Sequence, residues 1–219
     1  MALPKQYAQI DEWKTLIFLY TSALKEIGTK IEILNDEFVH VHNYNPIEHV
    51  KSRIKSPESI VRKLRKQGHE ETIENMQKYL HDIAGIRIIC SFSSDIYRIA
   101  QMIANQDDVI VLQIKDYIKH PKPNGYKSYH MVVSIPVFLS DGPVDTKVEI
   151  QIRTIAMDFW ASLEHKIYYK YEGMTPAHIQ DDLKACADMI NELDDRMLAL
   201  NELVQEMNVS DRPDSPELA

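Results

Sequence analysis

One short segment of this chain, residues 147–153, alternates polar and apolar side chains at every position. Its apolar residues are Val148, Ile150 and Ile152, and its polar residues are Lys147, Glu149, Gln151 and Arg153. A period of two is typical of a β-strand with one buried face. The sequence therefore predicts that Glu149 lies in the middle of the polar face of a strand. An ordinary solvated face is the plainer interpretation, because half-solvated antiparallel sheets are common.

The hydrophobic period changes directly after this strand. Thr154 can cap a helix, and apolar residues follow it at helical spacing, namely Ile155, Phe159, Leu163 and Ile167. A helix is therefore predicted to leave the strand at once, so that Gln151 and Arg153 lead from Glu149 towards a helix start.

Two long stretches place apolar residues in alternating steps of three and four, which predicts helices over about 8–38 and 176–207. The N-terminal stripe consists of Ile10, Trp13, Ile17, Tyr20, Leu24, Ile27, Ile31 and Leu34. The C-terminal stripe consists of Leu183, Cys186, Ile190, Leu193, Met197, Leu200, Val204 and Met207. Burial in the core is the plainer expectation for such stripes, and contact with a second copy of the chain is the sharper one. Residues 208–219 are polar and aperiodic, which predicts a flexible tail.

The stretch between these helices predicts an alternation of short helices and strands. Residues 46–68 indicate two short helices divided at Ser56 and Pro57, a cap followed by proline at the first helical position, and Gly68 ends the second. A helix is predicted over 71–80 and another from Ser93 through Gln106. Strands are predicted at 86–90, 108–118, 128–134 and 147–153. Four strands and at least five helices give an α/β or α+β fold, and no linker divides residues 1–219 into separate domains.

Composition narrows the class of protein. The net charge of -8 argues against general nucleic-acid binding, and no apolar stretch reaches membrane-spanning length. Cys90 lies in an apolar run and Cys186 on a predicted helix, far apart and without metal-ligand spacing, so both are expected to be buried thiols. These features, together with the lack of a signal-peptide pattern, favour a cytoplasmic protein.

Candidate chemistry comes from two acids and a concentration of cations. Asp82 precedes an apolar strand and Glu149 lies on another strand, and two such carboxylates suit Mg²⁺. A dense basic cluster contains Lys51, Arg53, Lys55, Arg62, Lys63, Arg65 and Lys66. A second polar group contains Lys119, Lys122, Tyr126, Lys127 and His130. A polyphosphate, Mg²⁺ and a stacked base would need such a set, although a solvated helix face explains the basic cluster equally well.

Three motifs, HDIAGIRIIC, NGYKSYH and VEIQIRT, resemble in their order and spacing the synthetase domain of the RelA/SpoT homologue family, over about residues 46–172. Because only single helices flank this core, the chain is most similar to the small alarmone synthetases, and AMDFWASLEHKIYYKY resembles their RelP branch. The resemblance implies a nucleotidyltransferase-like mixed β-sheet and a homotetramer. It also implies transfer of pyrophosphate from ATP to the ribose 3′-hydroxyl of GDP or GTP, giving (p)ppGpp and AMP in the bacterial stringent response.

The resemblance also implies roles for individual residues. Asp82 and Glu149 are expected to be the catalytic pair and to bind Mg²⁺, with Glu149 as the base that takes the proton of the 3′-hydroxyl. The expected ATP-binding residues are Arg53, Lys55, Ser59, Lys63, Lys66 and Arg87, with the adenine between the two arginines. The expected GDP- or GTP-binding residues are Lys122, Tyr126, Lys127, His130, Gln151 and Asp158, with guanine stacked on Tyr126.

Two other functions are weighed against this one. The pair His81 and Asp82 is found in metal phosphohydrolases of the HD type, but such a site needs further ligands on an all-helical domain, so hydrolase activity is not expected. A non-enzymatic assembly module would tolerate loss of Glu149, which is present. The group of His40, His42 and His49 lacks fixed metal-ligand geometry and is expected at the surface.

Overall fold

The structure, a computed structural model, describes the backbone of residues 5–170 and 176–210 and the side chains of residues 11–167 and 176–207. Its elements in chain order are α1 (Lys5–His42), β1 (Ile47–Ile54), α2 (Pro57–Lys66), α3 (Ile73–Tyr79), β2 (Ala84–Cys90), α4 (Ser93–Ala104), β3 (Ile110–Asp116), β4 (Tyr129–Leu139), β5 (Gly142–Thr154), α5 (Ile155–Lys170) and α6 (Ala177–Ser210). The described strands form one mixed sheet flanked by helices, which confirms the predicted α+β class.

The strand order in the sheet is β1-β2-β5-β4-β3. β2 and β5 run parallel, and every other neighbouring pair is antiparallel. The register places Gly85 of β2 beside Glu149 of β5, and Arg87 beside Gln151. The two motifs that carry the predicted acids thus lie on adjacent central strands, although they are more than sixty residues apart in sequence.

One face of the sheet is covered by α1 and α4, and this is where the core lies. Val148, Ile150 and Ile152 of β5 point into this core, where they meet apolar side chains of α1 such as Ile27 and Ile31. Because side chains alternate along a strand, the polar residues of β5 face the other side of the sheet. That side carries the candidate site.

Helices α2 and α3 lie beside the entrance of β2. The Ser56 side chain accepts a hydrogen bond from the Ser59 amide, Pro57 is the first helical residue, and Gly68 ends the helix at a φ of +77°. Only glycine adopts such a φ without strain. Ile60 and Leu64 are buried, so the charged residues of α2 occupy its remaining faces. The second of the two helices predicted within residues 46–68 is therefore confirmed.

The first of those two predicted helices is wrong, because residues Ile47–Ile54 form the edge strand β1. This strand pairs antiparallel with β2, from Ile47 opposite Cys90 to Ile54 opposite Ala84. Most of β1 is exposed, so burial gives it no clean period of two and its charges imitate a polar helix face. Pairing with a neighbouring strand, which a local pattern cannot reveal, decides its conformation.

The strand-to-helix switch at Thr154 is confirmed. The Thr154 hydroxyl accepts a hydrogen bond from the Met157 amide at 3.1 Å, and the same hydroxyl donates to Asp194 of α6 at 2.7 Å. The threonine thus caps α5 and also ties the end of β5 to the C-terminal helix.

The two long terminal helices are confirmed, but their apolar stripes differ in burial. In α1 the stripe residues Tyr20, Leu24, Ile27 and Ile31 are buried, and the Ile10 side chain lies outside the described residues. In α6 the stripe is exposed from Leu193, at 58%, to Met207, at 59%. Cys90 is buried as predicted, whereas the prediction for Cys186 is wrong: it is exposed, although Leu183 and Ile190 of the same stripe pack partly against α5. Within the described residues, no helix is both long and apolar enough to cross a membrane.

The predicted tail begins later than expected, since α6 continues to Ser210. Residues 211–219 lie outside the described part of the chain.

Candidate active site

The candidate site lies on the open face of the sheet, where β1, β2 and β5 are adjacent. A cavity of about 250 Å³ is lined by Lys51, Ser52, Arg53, Asp82, Gly85, Ile86, Arg87, Glu149 and Gln151. Glu149 lies beside Gly85, which has no side chain, so the sheet leaves space next to this carboxylate. The cavity therefore brings together both predicted acids and both predicted adenine-binding arginines.

Asp82 is reached by cations from two elements. Its Oδ2 atom accepts hydrogen bonds from Lys55, which follows β1, and from Lys63 of α2 at 2.8 Å. The Asp82 side chain is only 16% exposed. Burial raises the pKa of this carboxyl, but the two lysines outweigh burial and hold the pKa below its usual value. Asp82 is therefore a carboxylate at neutral pH.

The position of Asp82 just before strand β2 also fits the site. Asp82 and Arg87 would point to opposite faces if both lay within one regular strand. β2 begins at Ala84, so Asp82 precedes the strand and is free of its alternation. Both side chains line the same cavity.

Glu149 is held by two neighbours on the polar face. Its Oε2 atom accepts a hydrogen bond from the Gln151 amide at 2.9 Å, and its Oε1 atom lies 3.7 Å from Nδ1 of His130 on β4. Burial raises the pKa of Glu149, and so does the charge of Asp82, but His130 and Gln151 lower it below its usual value. Glu149 is thus an ionised carboxylate that is mostly shielded from solvent.

The two carboxylates fit a divalent cation. Although Asp82 Oδ1 is buried, it has no hydrogen-bond partner within the described residues. Among those residues no group of three or more His, Cys, Asp or Glu side chains converges, so protein atoms alone would not complete a coordination shell. Mg²⁺ is compatible with so few protein ligands, because its coordination shell usually contains waters and substrate phosphates beside one or two carboxylates.

Arg53 and Arg87 flank the cavity on neighbouring strands. Arg53 is paired with Gly85, and its side chain lies across that glycine, where an added Cβ would be 3.8 Å from Arg53 Cγ. Arg87 donates from Nη1 to Asp158 of α5 at 3.0 Å, while its buried Nε has no partner among the described residues. The two arginines thus lie on the same face of the sheet and line the same cavity.

Ser59, Lys63 and Lys66 are spaced by four and three residues on α2, which places them on one helix face. Lys63 of this face contacts Asp82. Ser59 is half-buried, and its hydroxyl accepts a hydrogen bond from Arg62 at 3.4 Å. The predicted phosphate-binding residues of α2 therefore form one row on the helix, with Lys63 at its middle beside Asp82.

A second cavity of about 390 Å³ continues from the first towards α5, and Arg53, Arg87, Tyr126 and Gln151 are among its lining residues. Tyr126 follows the turn at Asn124 and Gly125, where Gly125 has a φ of +88° and the Asn124 side chain accepts from the Tyr126 amide at 3.2 Å. A Cβ on Gly125 would lie 2.5 Å from Cβ of Ala187, so α6 supports this turn closely.

Around Tyr126 the structure gathers further predicted residues. Its hydroxyl lies 2.8 Å from His130 Nε2, and the Lys122 ammonium lies 4.5 Å from its ring centroid. Lys127 is placed differently, because its charge acts on Asp194 of α6, where it lowers a pKa that burial raises. No described contact joins Lys127 to Tyr126 or His130, so its predicted role at the acceptor phosphates stays a prediction.

Sequence reasoning missed two residues of this region. Arg153, which is only 4% exposed, donates to Tyr126, Gln151, Ser128 and Asp158. Tyr117 packs edge-on against both Tyr126 and His130 and lies 4.8 Å from the Lys122 ammonium. Arg153 shares the polar strand face with Glu149, which was a usable signal. Tyr117 comes from the end of β3, and no local pattern connects it to the site.

Known proteins resemble the chain over most of its length. The family described as the region found in RelA / SpoT proteins matches residues 52–174. The GTP pyrophosphokinase YwaC of Bacillus subtilis is 48% identical over 195 residues, which cover 89% of this chain and 93% of the relative. The GTP pyrophosphokinase YjbM of the same organism is 37% identical over 198 residues, with coverage of 89% and 91%.

Solved structures agree with these relatives. Small alarmone synthetase 2 from Bacillus subtilis has a TM-score of 0.80 at 47% identity and covers 87% of this chain and 98% of its own. Small alarmone synthetase 1 from the same organism has a TM-score of 0.82 when bound to its product pppGpp, at 33% identity with coverage of 89% and 99%. Its structure bound to AMPCPP has a TM-score of 0.76 at 32% identity, with coverage of 90% and 99%. The chain therefore belongs to the RelA/SpoT family, and within it to the small alarmone synthetases.

Proposed function

We propose that the chain is a GTP pyrophosphokinase that transfers the β,γ-pyrophosphoryl group of ATP to the ribose 3′-hydroxyl of GDP or GTP. The products are AMP and ppGpp or pppGpp, the alarmones of the bacterial stringent response. The observation that carries this proposal is the position of Asp82 and Glu149 in one cavity, with paired arginines on one side and Tyr126 with its cations on the other. Relatives that share this fold are named for the same reaction.

The donor side of the site, as we define it, consists of Arg53, Lys55, Lys63, Asp82 and Arg87. In this proposal the adenine lies between the two guanidinium groups, which stack favourably on aromatic faces. Lys55 and Lys63 contact the phosphates of ATP, and Ser59 and Lys66 extend the same helix face. Because both lysines already touch Asp82, bound ATP would bring its phosphates next to that carboxylate.

The acceptor side, as we define it, consists of Lys122, Tyr126, His130, Gln151, Arg153 and Asp158. Guanine stacks on the Tyr126 ring, Asp158 lies towards the edge of the base, and Lys122 and His130 lie near the acceptor phosphates. Aromatic rings that lie beside cations suit a nucleotide, since the base meets a π-face and the phosphates meet positive charge. Lys127 is assigned to the same phosphates by the family resemblance alone.

Glu149 lies between the two sides and is the proposed general base. The 3′-oxygen forms a bond to the β-phosphorus of ATP, and the bond from that phosphorus to the oxygen bridging to the α-phosphorus breaks. The bridging oxygen leaves with AMP, and the proton of the 3′-hydroxyl goes to Glu149. The depressed pKa of Glu149 keeps it ionised at neutral pH, so it is ready to accept this proton.

Mg²⁺ is the proposed cofactor, held by Asp82 and Glu149. When bound, it would neutralise charge on the transferred phosphates. The buried and unpaired Oδ1 of Asp82 supports this assignment, since a buried carboxylate oxygen without a partner is costly unless a cation or water meets it.

The proposed assembly is a homo-oligomer, and by family resemblance a tetramer. The support is the C-terminal stripe, in which Leu193, Met197 and Leu200 of α6 are exposed, and Phe159 of α5 is exposed as well. A continuous apolar stripe of this kind marks an interaction surface. Light scattering on the purified chain tests this, and a mass of one subunit at micromolar concentration would contradict it. We further propose that the enzyme acts in the cytoplasm as one synthetase domain; its two free cysteines fit a reducing compartment.

The decisive experiment incubates the purified chain with ATP, GDP and Mg²⁺ and separates the nucleotides. AMP and guanosine tetraphosphate should appear in equal amounts, and omission of Mg²⁺ should abolish both. Formation of ADP or free phosphate in place of AMP would contradict pyrophosphoryl transfer.

A further inference from the structure

Arg153 is buried among four side chains that all accept its hydrogen bonds. Nε donates to the Ser128 hydroxyl at 3.3 Å, and Nη1 donates to Asp158 Oδ1 at 3.1 Å. Nη2 donates to the Tyr126 hydroxyl at 2.6 Å and to Gln151 Oε1 at 3.1 Å. A planar guanidinium with donors in a fixed fork determines the positions of its partners, which a flexible lysine cannot do.

These contacts close a ring of five side chains. Arg153 holds the carbonyl of the Gln151 amide, and the nitrogen of that amide donates to Glu149 Oε2 at 2.9 Å. On the other side Arg153 holds the Tyr126 hydroxyl, which meets His130 Nε2 at 2.8 Å. His130 Nδ1 lies 3.7 Å from Glu149 Oε1, which completes the ring. The proposed stacking ring and the proposed base therefore belong to one network.

The chemistry of Arg153 sets the direction of its own hydrogen bonds to Tyr126 and Gln151. A guanidinium only donates, so the Tyr126 hydroxyl accepts from it and its own hydrogen can go to His130 Nε2. When His130 Nε2 accepts in this way, the imidazole hydrogen is on Nδ1, which faces Glu149. The Gln151 amide is oriented in the same way, since its carbonyl must face Arg153 and its nitrogen must face the carboxylate. Both oxygens of Glu149 are thereby presented with donors.

We propose that Arg153 is a positioning residue that fixes the Glu149 carboxylate and the Tyr126 ring in one arrangement through Gln151 and the Tyr126 hydroxyl. The inference rests on the proposed pyrophosphokinase function and deepens it. Arg153 touches none of the reacting atoms and acts through the ring. Tyr126 then has two separable roles. Its aromatic face stacks on guanine, and its hydroxyl helps to hold the general base, Glu149, in place.

A buried arginine that served only stability would behave differently. Its loss would lower the melting temperature and weaken the binding of both nucleotides, since the whole site would be less well ordered. A positioning role instead lowers kcat, because misplacement of a catalytic group by about 1 Å costs on the order of 10²-fold. The KM for ATP should change much less than kcat, since Lys55 and Lys63 contact Asp82 outside the ring. The link to the donor side runs through Asp158, which accepts from both Arg153 and Arg87, and Arg153→Lys keeps a positive charge at this point.

The test compares Arg153→Lys, Tyr126→Phe and the double variant in full-length protein. Arg153→Lys should lower kcat by roughly 10²-fold with the KM for ATP within about twofold of wild type. Tyr126→Phe should lower kcat by about tenfold while GDP affinity is kept, because the aromatic face remains. If both changes break one ring, the double variant should lose little more than Arg153→Lys alone, since residues that act as a unit are not additive.

Arg98→Lys is the matched control, since Arg98 is half exposed on α4 and lies outside the site, and it should keep wild-type kinetics. If the kcat losses of the two single variants multiply in the double variant, Arg153 and the Tyr126 hydroxyl act independently, and the proposal is overturned. Wild-type kcat in Tyr126→Phe would also overturn it, even if Arg153→Lys did not fold. A wild-type chain that makes no alarmone defeats the proposed function, whereas active wild type with fully active variants defeats only this inference.

Discussion

The donor and acceptor sides of this site are built in opposite ways. On the donor side, ammonium groups from α2 and from the end of β1 converge on the single carboxylate of Asp82. On the acceptor side, a buried arginine donates to Tyr126 and Gln151 in a ring of side chains, which the 3.7 Å contact between His130 and Glu149 closes. The Lys63 side chain is 37% exposed, whereas the Arg153 side chain is 5% exposed.

This difference indicates how each nucleotide is recognised. Two lysines around one carboxylate leave an excess positive charge. A polyphosphate would neutralise this charge, and dissolved salt screens it. The acceptor side is already satisfied by its own hydrogen bonds and offers a fixed aromatic face. Donor binding should therefore depend more strongly on ionic strength than acceptor binding, in which the fixed aromatic face adds to the charge of Lys122.

The largest effect is expected at Glu149, where the two sides meet. Glu149→Gln removes the base and a metal ligand while the Gln151 and His130 neighbours remain, so synthesis should fall by about 10²–10⁴-fold or more. Titrations with each nucleotide should show binding largely intact. Glu12→Gln on the exposed part of α1 is the control. Near-normal turnover in Glu149→Gln would show that another group is the base.

Tyr126→Ala should separate the two sides. Loss of the aromatic face should weaken GDP by roughly 1–3 kcal/mol and leave ATP unchanged. Paired equilibrium titrations measure this, with Tyr126→Phe as the control that keeps the face. Equal weakening of both nucleotides would remove Tyr126 from the acceptor side.

Gly125→Ala tests whether α6 sets the geometry of the acceptor side. The new Cβ would be 2.5 Å from Ala187 at a φ that suits glycine, so GDP affinity should fall by about tenfold while ATP affinity is kept. The second change Ala187→Gly should restore part of the loss, because it returns the space but not the backbone freedom. Gly28→Ala is the control, since no atom lies within 4 Å of its added Cβ. Unchanged GDP binding in Gly125→Ala would show that the turn accommodates the added Cβ and that α6 does not set the geometry of the acceptor side.

The sequence predicts four of the five described strands, including the edge strand β3, and fails at the other edge strand, β1. The alternation of residues 147–153 and the helix cap at Thr154 are local signals, and the structure reproduces them. The edge strand β1 was predicted as a helix, because its exposed charges carry no burial pattern and only β2 holds it extended. The stripes of α1 and α6 share one heptad pattern, yet that of α1 is mostly buried, whereas that of α6 is exposed from Leu193 onward. A period shows that a face is apolar but does not show what covers it.

Within the site, the residues predicted from motifs mostly converge, since Asp82, Arg87 and Glu149 line one cavity. Arg153 was not predicted, because a strand pattern alone cannot show whether a polar side chain is solvated or buried. Lys127 was grouped with its neighbours, but it follows Tyr126 directly and its charge acts on Asp194. Alternation along an extended chain sends adjacent residues to opposite sides, and the family motif does not record this.

The smallest effect is expected from Lys63→Ala on the donor side. The lysine contributes one partly exposed charge beside Asp82, so the KM for ATP should rise only about threefold to tenfold in low salt. Screening already weakens this contact in the wild type, so the ratio between variant and wild type should shrink as salt rises. Lys14→Ala on α1, where the side chain is 74% exposed, controls for net charge. GDP affinity should not change in either variant. A Lys63→Ala enzyme with wild-type ATP kinetics at every salt concentration would mean that this face of α2 is solvated and does not bind phosphate, and the contrast between an ionic donor side and a packed acceptor side would then rest on Lys55 alone.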